Sequence, residues 1–305
     1  MAHQYMGKPC KSATLRGTIE RALGMRTMLE NESLRLIVCK ITNLPSVPSS
    51  YHKLCETVSN PKCGINEFAE IVQCDPAMTV RVLQLVNSAF FGATSEVTSV
   101  QQAVRSLGTE LIKGMALVGN ILTAIESKTS EDIAADQLQL NWIKSAMLAK
   151  SFMTDTAKGE TAFTAALVRD VGKIVMALEL PDQVSAILHE ARTTGRVQHE
   201  VEKEKLGTTH AEIGAYLLGV WGLPLSIVQS VAFHHAPQLR ADGAFDIIAA
   251  VHVAGTLIDA RDKINPPLEP ASLMDTEFLK ACGADRELPR WLGLAEQQQA
   301  KPSQP

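Results

Sequence analysis

The chain is punctuated by helix starts, and nothing in it is punctuated like a sheet. Asp75-Pro76 pairs an N-cap acceptor with a proline at the first helical position. Thr209 with Glu212 spells a capping box, which puts His210 in the first turn of the helix that follows, and Thr98 or Ser99 with Gln101 or Gln102 offers another ahead of Val100, Ala103, Val104 and Leu107. Asn66 supplies a cap ahead of Phe68, Ile71 and Val72; Pro181-Asp182, Pro224 and Asp246 restart the chain before further apolar runs. Behind these starts the apolar residues recur at helical spacing, as Met78, Val82, Leu85, Val86 and Ala89 do. No segment shows sustained apolar/polar alternation between turns, so the predicted fold class is all-α.

The same signals divide the chain. Residues 1–32 read as a poorly patterned lead-in. A first helical lobe covers 33–127, with a short extended turn at Leu44-Pro45-Ser46-Val47-Pro48 and a left-handed cap at Gly108. The polar stretch from Lys128 to Asp136 separates it from a second lobe over 137–265, which opens at Trp142. Gly159-Glu160-Thr161 there precedes one apolar helix from Ala162 to Leu178. Residues 266–305 read as short helices and a mobile, glutamine-rich tail.

Composition narrows the function classes. With 46% hydrophobic and 20% charged residues the chain reads as a globular protein, and its net charge of −4 gathers into no basic block, so no direct nucleic-acid partner is expected. The uncharged stretch from Ile213 to Phe233 is cut by Gly222-Leu223-Pro224, which makes it two buried helices and not a membrane span. Six cysteines without a C-x-x-C pair, and no secretory signal, point to a reducing cytoplasm. Cys39, Cys55 and Cys74 read as buried thiols, Cys63 as a more exposed one, and Glu200 to Lys205 as a solvated helix face.

Four residues carry candidate chemistry. Asp170, His210, His234 and His235 each fall near a predicted helix end in the second lobe, and imidazole and carboxylate are ligand types that divalent metals accept. Their spacing matches no local metal motif, so hydrogen-bonded core histidines are the competing reading. In the first lobe Asn87, Ser88, Phe90 and Phe91 form either a partner-binding edge or an internal seam. In that second reading Asn87 and Ser88 bond to the next helix and Gly92 ends the helix.

Taken in order, several segments resemble the HDOD domain, a degenerate relative of the HD metal-dependent phosphohydrolases. They are Leu44-Pro45, Asp75-Pro76, Arg81 to Gly92, Ala103 to Gly108, Ala166 to Lys173, Thr209 to Ala215, Trp221 to Pro224 and His234 to Pro237. The resemblance implies an HD-like helical bundle with an N-terminal helical lobe, spanning 33–265. In active HD enzymes a first His, a His-Asp pair and a late Asp hold metal. Those positions fall here at Lys144, at Arg169-Asp170 and at Ala254-Gly255, which leaves Asp170 alone of the four. The Gly-Tyr-Pro signature of the cyclic-dinucleotide phosphodiesterase branch is absent from Ala236 to Phe245. The resemblance therefore implies a non-catalytic bacterial signalling protein with no cofactor, working with a regulatory partner such as a sensor kinase, response regulator or cyclic-dinucleotide enzyme. The alternative is a divergent phosphohydrolase holding Mn, Fe or Mg through Asp170, His210, His234 and His235. A third reading is nucleotide binding without turnover, with Lys144, Arg169 and Lys173 meeting phosphate.

Overall fold

In a computed structural model of the chain the described residues are 31–40, 49–60, 63–88, 91, 97–126, 135–239, 244–260 and 274–299, with Arg16, Ile19 and Leu23. The regular structure among them is helical. The first half contains α1 (Glu32–Lys40), α2 (Ser49–Ser59), α3 (Ile65–Gln73), α4 (Pro76–Asn87), α5 (Val100–Leu107) and α6 (Thr109–Glu126). The second contains α7 (Ala135–Phe152), α8 (Thr156–Val168), α9 (Val171–Glu179), α10 (Pro181–Thr194), α11 (Gln198–Leu206), α12 (His210–Val220), α13 (Leu225–Phe233) and α14 (Ile247–Asp259). Near the C-terminus α15 (Thr276–Ala281) and α16 (Leu288–Gln299) follow.

Helices α2 to α5 pack around one another and on α6, which runs on against α8 and α9. There the second bundle begins: α7, α8, α13 and α14 share one interior, and α12 lies between α9 and α13. Buried Phe68, Val72, Val82 and Val104 on one side and Trp142, Ile143, Leu167, Val228 and Val251 on the other belong to one continuous apolar cluster. At about 25 cal/mol per Å² of apolar surface, burial of this kind is what holds the bundle against chain entropy.

Several starts form as their chemistry requires. Asp75 Oδ1 accepts from Met78 N–H at 3.0 Å, Asp246 Oδ1 from Ala249 N–H at 3.0 Å, and Thr209 and Glu212 exchange bonds at 3.3 and 3.0 Å. Others differ. The cap of α3 is Gly64, not Asn66, because Glu67 reaches back to accept the Gly64 N–H at 2.8 Å. Ser99 does cap α5, but its hydroxyl is spent on the Gln101 side chain at 2.9 Å, so no box closes. Gly108 ends α5 at φ +81 and ψ 153, outside the compact left-handed turn.

Gly159 lies inside α8, whose start is Asp155, and the predicted helix from Ala162 to Leu178 is broken at Arg169-Asp170. The glutamine run ends in helix: α16 extends to Gln299, with Trp291 and Ala295 buried and the Trp291 ring 4.8 Å from those of Phe152 and Phe245. Asn31, inside the expected lead-in, ties α1 to the second bundle through its Nδ2, which donates to Gly207 O at 3.2 Å. The Leu44–Pro48 turn, residues 127–134 of the polar stretch, and Gly92 lie outside the described residues. Ile213 to Phe233 divides between α12 and α13, and no described helix is long and apolar enough to cross a membrane. Of the thiols, Cys74 is exposed, since it follows α3 on the solvent side, while Cys55 and Cys63 are half-buried.

Candidate functional pocket

The break at Arg169-Asp170 makes the site. Asp170 leaves helical geometry at φ −97, ψ 11, and α9 departs in a new direction against α12. The two helices touch backbone to backbone at Gly172 and Gly214. A Cβ at Gly172 would stand 2.7 Å from Gly214 N and closer still to the His210 carbonyl oxygen. This approach, open only to glycine, brings His210 to the break: its Nε2 lies 3.4 Å from Asp170 Oδ1.

Arg169 is the hub. Its guanidinium is 1% exposed and donates from Nε to Asp170 Oδ2 at 2.8 Å and from Nη2 to Asp259 Oδ1 at 2.6 Å. Room for it exists because α14 carries glycine at 255: a Cβ there would lie 2.9 Å from Arg169 Cζ and closer still to Nη1. Lys173 Nζ, one turn along α9, pairs with Asp170 Oδ1 at 2.8 Å. Burial opposes ionisation of all three, yet the mutual attractions win. Arg169 and Lys173 stay protonated above their ordinary ranges, and the Asp170 carboxyl is held well below its own.

A second network starts from Glu202 on α11. Its Oε2 accepts the His210 backbone N–H at 2.8 Å and lies 2.6 Å from His210 Nδ1, so the ring donates there; Oε1 accepts from Gln198 at 2.8 Å. Burial works against the His210 cation, but Glu202 and Asp170 outweigh it and raise the ring's pKa; burial likewise opposes the Glu202 anion, but His210 outweighs it and lowers that carboxyl's pKa. Nε2 of His210 stands 3.0 Å from Nε2 of His235, whose ring stacks on His199 at 3.9 Å. Nδ1 of His234 donates to Val231 O at 2.7 Å, and its Nε2 is buried without a hydrogen-bond partner. His252 donates from Nδ1 to His234 O at 2.7 Å and accepts at Nε2 from Asp275 N–H at 3.1 Å, which fixes its neutral tautomer. Burial holds His234, His235 and His252 below the ordinary imidazole range and takes His199 down to about 4.

Around these groups opens a pocket of about 100 Å³, with Arg169, Lys173, His210, His234 and His235 inside and Arg192, Arg196 and Gln198 at its α10–α11 rim. Asp170, His210, His234 and His235 thus come together as the sequence suggests, and Gly255 meets Arg169. Lys144 is buried on α7 and is not among the residues lining the pocket. Glu202 corrects the reading of Glu200 to Lys205 as a solvated face: it and Val201 are fully buried, because His210 meets the carboxylate twice. Glu202, His199, His252 and Asp259 were not singled out in the sequence. His252 alone carried a signal, as a lone imidazole in the apolar run of α14.

The Asn87 segment uses its polar groups internally. Asn87 Nδ2 donates to Leu83 O at 2.9 Å and Val97 O at 2.8 Å, and its Oδ1 accepts from Val97 N–H at 2.7 Å. Ser88 bonds back to Leu85 O at 2.7 Å and not to the next helix, α4 ends at Asn87 and not at Gly92, and Phe91 packs partly buried on the core. Phe90 lies outside the described residues.

Three ring nitrogens, one each from His210, His234 and His235, lie within 4.8 Å of one another, a set able to hold a metal ion. Glu202 behind His210 and the Val231 carbonyl behind His234 fix which nitrogens face inward, as outer partners do for metal-bound histidines. The His-Asp seat is different: Arg169 cannot be a ligand while protonated, both Asp170 oxygens face cations, and Gly255 has no donor. A metal fits the three imidazoles by donor type and does not fit the Arg169-Asp170-Gly255 seat.

Comparison with known proteins agrees with this architecture. A curated relative from Treponema pallidum, itself uncharacterised, is 23% identical over 256 residues, which take in 82% of this chain; the chain spans about half the length of that relative, 49%. Among solved structures, an HDOD domain protein of unknown function from Geobacter sulfurreducens superposes with TM-score 0.68 at 20% identity, over 88% of this chain and 93% of its own. A protein from Marinobacter aquaeolei described as a candidate signal transduction protein gives 0.67 at 18%, over 92% and 64%. One from Shewanella amazonensis described as a candidate phosphohydrolase gives 0.62 at 22%, over 87% and 97%. At these identities the likeness is one of fold. The family model described as HDOD domain matches residues 44–237, from the first lobe through the paired histidines and so across the whole helix-break wall of the pocket. On that match, which covers more than half of its 305 residues, the chain belongs to the HDOD domain family.

Proposed function

We propose that this chain is a non-catalytic signal-transduction protein of the bacterial cytoplasm, which acts by binding and answers to a regulatory partner such as a sensor kinase, response regulator or cyclic-dinucleotide enzyme. The observation that supports this reading best is the buried Arg169 guanidinium, bonded to Asp170 and Asp259 over Gly255. In the HD phosphohydrolases that the chain resembles, the pair at this position is His-Asp and its charge partner is a metal ion. Here the carboxylates already have one, and it is part of the chain.

The imidazole trio favours a second reading, a phosphohydrolase with a reduced site. An ion held by His210, His234 and His235 would supply a Lewis acid to a phosphoester. Imidazole suits iron better than magnesium, which prefers oxygen, so Mg is the least suited of the three ions considered. Metal analysis of protein purified without chelator, then Mn, Fe and Mg re-addition with hydrolysis assays on cyclic di-GMP and a generic phosphodiester, separates the two. The binding reading expects no stoichiometric metal and no turnover. Bound metal with turnover that disappears in Asp170→Ala would overturn it.

A further inference from the structure

The inner wall of the pocket is electrically matched, but the lining as a whole is not. Arg169, Lys173, Arg192 and Arg196 line it; Asp170, Asp259, Glu190 and Glu204 pair with the other three, and Arg192 is left over. Arg192, in the last turn of α10, is exposed and has no hydrogen-bond or ion-pair partner among the described residues. Gly195, at φ +69, turns the chain after it and carries Arg196 to the same rim, where Nη1 is shared between Glu204 at 2.7 Å and Glu190 at 3.4 Å. Inside, Lys173 keeps 24% of its side chain exposed, and Nη1 of Arg169 is buried with no acceptor. A buried guanidinium nitrogen without an acceptor is costly, and the group that would satisfy it is an oxygen acceptor entering from the pocket. On a scale where a water needs roughly 10–15 Å³, the 100 Å³ here has room for a tetrahedral oxyanion and its waters.

We infer that the pocket is a receptor site for a phosphate group, free or as the end of a phosphoester, gripped at the rim by Arg192 and Arg196 and facing Lys173 and Arg169 Nη1 within. This deepens the binding reading above and rests on it. Arginine forks match phosphate oxygens in pairs, and Arg192 has a whole fork to offer at the rim while Arg169 has Nη1 within.

The test uses the full chain in the presence of chelator, which removes any metal from the comparison. Calorimetric and thermal-stability titrations with inorganic phosphate, pyrophosphate and adenosine monophosphate are run against sodium chloride at matched ionic strength. Saturable binding is expected below about 1 mM, weakened about tenfold or more in the double variant Arg192→Ala/Arg196→Ala. Both residues sit at the rim, so the unliganded melting temperature of the variant serves as the folding control. Tighter binding of the nucleotide than of phosphate identifies a phosphoester as the ligand, and the reverse identifies the free anion. No stabilisation beyond that of chloride, or equal binding by the double variant, overturns the inference. Either failure leaves the metal and turnover assays of the binding reading untouched, and turnover in those assays leaves this titration untouched.

Discussion

Gly255→Ala tests whether the pocket is built around Arg169. Gly255 lies in the interior of α14, where alanine in place of glycine ordinarily stabilises a helix by about 1 kcal/mol. Here the added Cβ would come to 2.9 Å from Arg169 Cζ and nearer to Nη1, so the guanidinium must move. It cannot move freely, because Nε is held by Asp170 at 2.8 Å and Nη2 by Asp259 at 2.6 Å. Breaking a buried pair and leaving a charge uncompensated costs about 3–5 kcal/mol. The expected net effect, after the helix gain, is therefore a loss of about 2–4 kcal/mol, opposite in sign to propensity alone. Urea unfolding followed by circular dichroism reads it directly. The partner experiment places Gly255→Ala in an Arg169→Met background, where the cost should shrink below about 1 kcal/mol because contacting residues couple. A stabilised Gly255→Ala protein, or equal costs in the two backgrounds, would refute the assignment of Arg169 as the occupant of that space.

Two further outcomes follow from groups already described. Stability should fall as pH drops below about 6.5, the unfolded imidazole value, because His199, His234, His235 and His252 have folded pKa values below it and the unfolded chain then binds more protons. Each ring that stays neutral contributes a slope of about 1.4 kcal/mol per pH unit. His210, raised by Glu202 against its burial, works the other way: its contribution is complete below about 6.5 and is lost as pH rises through its folded value. Urea midpoints between pH 7 and 5 that stay level or rise would contradict the four-to-one balance. Asp75→Ala removes the acceptor for Met78 N–H and should cost about 1 kcal/mol in the same assay, with no change in ligand binding at the distant pocket; a cost near zero would mean that Pro76 alone sets the start of α4.

What could be read in the sequence was what is local. A cap acceptor and the N–H it serves are three residues apart, so Asp75, Asp246 and the Thr209–Glu212 box were legible one helix at a time. The break at Arg169-Asp170 was not, because the apolar stripe runs through it without a proline, and Gly172, two residues on, falls inside the next helix. Only the Arg169 partners on α14 and the close α9–α12 crossing require the chain to turn there. Glu202 was misread for a related reason. Apart from Val201, the residues around it in sequence are charged, and what buries it is a ring and an N–H eight residues away. The histidines could be placed at helix ends, but not which nitrogen of each faces inward, since Glu202 and Val231 decide that.

His252 makes the C-terminal segment part of the pocket's support. One face of its ring holds the carbonyl of His234 and the other receives the N–H of Asp275, the cap residue of α15. A chain shortened at residue 265 would lose the second of these, together with the Trp291 ring seated on Phe152 and Phe245. His252 would then be free to rotate or take up a proton, and the peptide that orients His234 would lose its anchor. Residues 274–299 thus stand outside the family match in sequence, yet they brace the site from behind, and a displacement of α15 would reach His234 through His252.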